Sequence, residues 1–165
     1  MRSAALPLLV LALSACSPSL DWREVRLAEA GALALFPCKP ELSSHAPTPA
    51  EPARMGLAQC KAAGFSFALS WAELPDPSRV EPALQQMREA LASKLQARAE
   101  APRPLQVPGM TPNPQALTQR LAGGEQHAQL AVFARGPVVY QALMLGPRYN
   151  DTAWDSFAGS LRLAP

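Results

Sequence analysis

The chain has 165 residues, a formal net charge of +2 and 48% hydrophobic residues. It is one domain of ordinary size with enough apolar surface for a core. It is too hydrophobic for a disordered chain, and too nearly neutral to neutralise a nucleic-acid backbone or to dock on a membrane through a basic patch.

Residues 1–16 read MRSAALPLLVLALSAC. Arg2 supplies a positive start, and residues 6–13 supply an apolar run. A bilayer core needs about 20 apolar residues, so this run reads as a signal peptide rather than a membrane-spanning helix. Leu13-Ser14-Ala15-Cys16 resembles the bacterial lipobox, a small-residue cleavage site that ends in the cysteine to be acylated. The resemblance implies a signal peptide over residues 1–15, lipidation (palmitate) of Cys16, a tether over 16–20 and a single α+β periplasmic domain over 21–165. Each buried methylene of an acyl chain contributes about 0.8 kcal/mol, so several chains anchor a protein stably. Ser17, rather than Asp, follows the cysteine, which by the usual enterobacterial pattern implies the outer membrane. Loss of the leader, whose one charged residue is Arg2, lowers the net charge by one and leaves the domain nearly neutral.

Assigning Cys16 to lipid leaves Cys38 and Cys60, an even pair in an oxidising compartment. A disulfide is the default reading, with a metal site or a catalytic thiol as alternatives. Two cysteines without a CxxC and without nearby His spacing make a poor zinc site. A bridge closing about 22 residues contributes roughly 3 kcal/mol by loop-closure entropy.

Residues 22–27 and 32–36 read as short strands around the turn Glu29-Ala30-Gly31, with Pro37 ending the second. Residues 45–54 (HAPTPAEPAR) form a Pro-rich loop. Residues 55–61 and 65–73 make a hairpin. In its second strand Phe65, Phe67, Leu69 and Trp71 alternate with Ser66, Ala68, Ser70 and Ala72, so one aromatic face meets a core. Asp76-Pro77-Ser78 opens a helix, with Ser78 and Glu81 fitting a capping box and Pro82 in the first turn. Val80, Leu84, Met87, Leu91 and Leu95 form its apolar stripe, and it is expected to end near Glu100, before Pro102 and Pro104. Residues 101–114 are a second Pro-rich stretch, with a short strand at 105–107.

Three consecutive strands follow at 115–121, 126–135 and 138–145, turning at Gly123-Gly124 and Gly136-Pro137. The third is nearly continuous in apolar residues and belongs inside the sheet. A last helix begins at Asn150 or Asp151, with Trp154, Phe157, Ala158 and Leu161 on one face. The expected fold is α+β: an antiparallel sheet covered by one long helix and a short C-terminal helix.

Leu35-Phe36-Pro37 after an early strand, the mid-chain helix, Val139-Tyr140-Gln141-Ala142-Leu143 and the ending Trp154-Asp155-Ser156-Phe157-Ala158-Gly159-Ser160-Leu161-Arg162-Leu163 resemble the PsbP-like and DcrB-like domains of small secreted or lipid-anchored proteins. The resemblance spans most of residues 21–164. It implies a PsbP-like fold and the roles of that group: extrinsic subunits, assembly factors and chaperone-like adaptors. It carries over no catalytic residue.

The chain contains no GxSxG, HExxH or P-loop, and no cofactor or metal motif. His45 and His127 read as surface histidines. A Cys60–His127 nucleophile and base lacks a third positioning group. Asp151 and Asp155 fit helix capping better than acid–base pairing or calcium binding. Trp22, Trp71 and Trp154 fit a core better than a ligand platform. Loop 101–114, with Val107 and Met110 expected on its surface, is a candidate binding loop, against a plain rigid connector. Together these observations lead to a non-enzymatic protein without cofactor or metal. It would bind the membrane through its lipid and bind another envelope component through its domain, and would bind no nucleic acid. A small carrier of an apolar ligand or lipid is the alternative, and a hydrolase with an unfamiliar site comes third.

Overall fold

A computed structural model describes residues 20–164. The expected signal peptide, Cys16 and most of the tether lie outside the described residues. No helix among the described residues is long and apolar enough to cross a membrane.

The described residues form eleven strands and two α-helices, which we number in chain order. Strands β1 (Arg23–Leu27) and β2 (Ala32–Phe36) are followed by β3 (Glu41–His45), β4 (Arg54–Ala62) and β5 (Phe65–Glu73). Helix α1 (Val80–Lys94) leads to the short β6 (Arg98–Ala99) and β7 (Arg103–Pro104). Then come β8 (Leu117–Gly123), β9 (Gln126–Arg135), β10 (Val138–Gly146), α2 (Asp151–Ala158) and β11 (Arg162–Leu163).

The fold is α+β, with a large antiparallel sheet, one long helix and a short C-terminal helix, as expected. The sheet has eight strands in the order β3-β4-β5-β10-β9-β8-β6, and β7 also pairs with β8. A second sheet was not anticipated. It runs β1-β2-β11, so the last of the described strands lies against one of the first of them. Helix α1 packs on one face of the large sheet, over β9 and β10. The small sheet and α2 cover the other face.

The alternation in β5 sorts these two faces. Phe65, Phe67, Leu69 and Trp71 point to the small sheet and α2, and all four are buried. Phe67 meets Phe157 edge-on at 5.6 Å, and Phe157 meets Phe36 at 5.1 Å. One aromatic cluster thereby joins β5, α2 and β2. The Tyr140 hydroxyl donates a 2.6 Å hydrogen bond to the Ala30 carbonyl across the layers, which satisfies both buried groups. Burial holds the Tyr140 phenol above its usual pKa. Ser160 joins the C-terminal segment to β2: its Oγ accepts from the Leu35 N–H at 2.8 Å and donates to the Phe157 carbonyl at 2.6 Å.

Several boundaries differ from the sequence reading. Helix α1 stops at Lys94 rather than near Glu100, because Gln96 turns into the left-handed region at φ 48°. Its entry is a 3₁₀ turn, Pro77–Arg79, capped by Asp76 rather than by a Ser78–Glu81 box. The Asp76 carboxylate accepts from both the hydroxyl and the N–H of Ser78, and these bonds hold its pKa below the usual value. The short strand expected at 105–107 lies instead at Arg103–Pro104. Strand β3 was not foreseen at all.

Candidate functional site

The helix-side face of the large sheet is covered unevenly. Over β8, β9 and β10 the side chains are large and buried: Leu121, Leu130, Val132 and Val139 pack beneath Val80 and Leu84 of α1. Over β3, β4 and β5 no helix follows. The same face there presents Ser66, Ala68, Ser70 and Ala72 from β5 beside Leu57 and Met55 from β4, all half-buried. Small side chains on β5 and a wall formed by α1 leave a groove of about 570 Å³. Ala83, Gln86, Met87 and Ala90 form its helix wall, Met55, Leu57, Ser70 and Ala72 its floor, and Ser43 and His45 of β3 its far side. The Gln141 side chain donates to the Met87 carbonyl at 3.3 Å and helps fix the wall.

The floor is pinned from beneath. Gly56 lies opposite Trp71 in the register. A Cβ on Gly56 would approach the Trp71 ring to 2.0 Å, so only glycine lets the indole lie flat across β4. The far end of the bare face carries a second depression, of about 550 Å³, lined by Lys39, Glu41, Gln59, Lys61 and Ser66. Cys38 and Cys60 border it as a disulfide with Cα atoms 6.0 Å apart. The bridge fastens the start of β3 to the end of β4, as the cysteine pairing led one to expect.

The expected binding loop is built differently. Val107 is 4% exposed and belongs to the aromatic core, and Met110 is half-buried against it. The Met110 sulfur accepts from the Val107 N–H at 3.1 Å. Pro108 accepts from the Leu163 N–H at 2.9 Å, and the Thr111 N–H donates to Ala134 at 2.8 Å. Gly109, at φ +84°, sits so close to Leu163 that a Cβ would meet the Leu163 carbonyl oxygen at 2.5 Å. The loop is a strap laid over β11 and the sheet. Val107, Leu105 and Met110 face inward because they bury apolar surface against the aromatic core, and the backbone bonds hold the strap there.

The histidines do not meet Cys60. His45 is exposed at the end of β3 and lines the groove. His127 lies on β9, three strands from β4 and thus roughly 14 Å away at ordinary strand spacing. The Cys60 sulfur is committed to its disulfide, so the thiol–imidazole couple does not form. His127 packs edge-on against Tyr149 at 4.8 Å, and Arg120 lies over the same ring at 5.0 Å. Arg120 pairs with Asp151, which also accepts from Gln129 at 3.0 Å. Burial, together with the negative Glu100, raises the Tyr149 pKa. This cluster fastens the start of α2 to the sheet. Asn150 caps that helix, accepting from the Ala153 N–H at 3.1 Å. The three tryptophans belong to the one aromatic core, as expected: Trp22 packs on Phe67, Trp154 on Phe157, and Trp71 over Gly56. Among the described residues there is no group of three or more His, Cys, Asp or Glu side chains placed to hold a metal ion.

Neither a scan against protein-family models nor a search of the curated proteins finds a match to this chain.

Proposed function

We propose that this protein is a lipid-anchored, non-enzymatic adaptor of the bacterial envelope that receives an apolar segment of another envelope protein in the groove between α1 and β3–β5. The observation that carries the reading is the bare half of the sheet. A folded domain normally covers an apolar strip with its own elements, and a strip left open beside a fixed helix wall suits an external segment. Val80, Leu84, Leu130 and Val132 fill the space under α1, where a carrier would keep an enclosed chamber. The lipobox supplies the anchor, and the likeness to PsbP-like domains supports an accessory role.

The groove volume also falls in the range of small-molecule sites, which keeps a carrier of an apolar ligand as the second reading. One experiment separates the two. A photoreactive residue replacing Ser70 on the groove floor, in the full chain in intact cells, is expected to capture a defined protein. The same probe at Asp155, exposed on α2 away from the groove and from β3, is expected not to. Capture of no protein, with lipid co-purifying, would sink the adaptor and favour the carrier. The anchor is tested separately: Cys16→Ser is expected to abolish acylation and release or stall the protein.

A further inference from the structure

We propose that β3 is the contact edge of a symmetric dimer, in which two copies of this chain pair their β3 strands antiparallel about Ser43 and join their two large sheets into one. Strand β3 ends the eight-stranded sheet, and among the described residues nothing pairs with its outer edge. All five of its residues are exposed. Leu42, at 61% exposure, is the only large hydrophobic residue so exposed among the described residues. An unpaired edge with an exposed leucine is a template for another strand.

The sequence of β3, Glu-Leu-Ser-Ser-His, selects the partner. In an antiparallel pair centred on Ser43, Glu41 faces the partner's His45, and His45 faces the partner's Glu41. The strand thus offers a carboxylate and an imidazole at matching ends, and a second copy supplies both in reverse. The pairing with β4 places Ser43 beside Leu57 and His45 beside Met55, on the α1 side, so both Glu–His contacts fall on that face. Leu42 and Ser44 point the other way, beside Ala58 and Gly56. There Leu42 opposes the partner's Ser44, and the two leucines become diagonal neighbours within side-chain reach. Centring on Leu42 instead would set Pro40, which has no N–H, opposite the partner's Ser44. Centring on Ser44 would set Glu41 opposite the partner's Pro47. The register about Ser43 is the one that pairs carboxylate with imidazole, sets the leucines as diagonal neighbours and keeps proline out of the pairing.

Two strands paired in this way are related by an axis perpendicular to the sheet. Both α1 helices then lie on one side, and the two grooves open side by side across the β3 seam. The dimer does not depend on what enters the groove. Five-residue strands bury little area, so association is weak in dilute solution and strengthens when both copies are concentrated together.

Disulfide trapping of the full chain in cells tests the register. Ser43→Cys is expected to form a covalent dimer on non-reducing gels, because directly opposed residues lie within bridging distance. Glu41→Cys and His45→Cys are expected to stay monomeric alone and to form a mixed dimer when co-expressed. A monomeric Ser43→Cys protein that retains its Cys38–Cys60 bridge would overturn the proposal, and so would equal trapping at all three positions. In the Ser43→Cys background, Glu41→Lys is expected to lower the trapped fraction roughly tenfold, from two contacts of ordinary cross-strand strength. Adding His45→Glu is expected to restore it. An unchanged fraction in the single variant, or no recovery in the double, would also refute the pairing.

Discussion

The two halves of the helix-side sheet face use the same backbone to different ends. Under α1, β9 carries Ala128, Leu130, Val132 and Ala134, all buried, and the other face of that strand is buried as well. On β5 only the aromatic face is buried, while Ser66, Ala68 and Ser70 remain half-exposed. Strand β9 is therefore apolar on both faces and β5 on one. Stability resides in the first half. The second half is held from outside its own face, by Trp71 beneath it and by the disulfide at its end.

Substitutions that cross this divide test it. Leu130→Ala removes a side chain with no exposed surface from under α1 and is expected to cost about 2–5 kcal/mol, read as a lowered denaturation midpoint. A loss under 1 kcal/mol would show that the covered half is not the stabilising one. Removing the bridge in the bare half with Cys38→Ser and Cys60→Ser together is expected to cost about 3 kcal/mol and to leave a folded domain with intact circular dichroism. Global unfolding would show that β3 and β4 carry more than their local share. Gly56→Ala forces the Trp71 ring to move and is expected to cost about 1–3 kcal/mol with a changed tryptophan emission spectrum. Unaltered emission would mean that the floor is not pinned by that ring. Ser70→Val on the groove floor is expected to change stability by less than about 0.5 kcal/mol while reducing capture of the partner segment. Equal capture would remove the groove from the binding surface.

The legible parts of the fold were those with strong periodicity. The β4–β5 hairpin, the three strands β8 to β10 and the α1 stripe all follow from apolar spacing, and the cysteine pairing follows from residue type. Strand β3 escaped because a strand exposed on both faces has no apolar alternation to read. The small sheet escaped because β11 is two residues long and pairs with β2 across most of the chain. Val107 was misplaced because a Pro-rich composition looks the same whether the segment is a free loop or a strap. What distinguishes the two is a set of long-range contacts with Leu163 and Ala134. The alternation in β5 assigns its aromatic face to a core and leaves the role of its small residues open. That they floor a groove depends on where α1 settles, which local sequence does not encode.

Strand β11 sets a condition on the order of folding. Leu163 lies opposite Ala32, the Ala164 N–H donates to the Gly31 carbonyl at 2.8 Å, and the Pro108 strap closes on the same two-residue strand. A chain emerging amino end first cannot complete its small sheet, or seal the aromatic cluster beneath it, until residues 162–164 are free. Such high contact order slows closure. A partly emerged chain therefore stays open, and the small sheet closes only when residues 162–164 arrive.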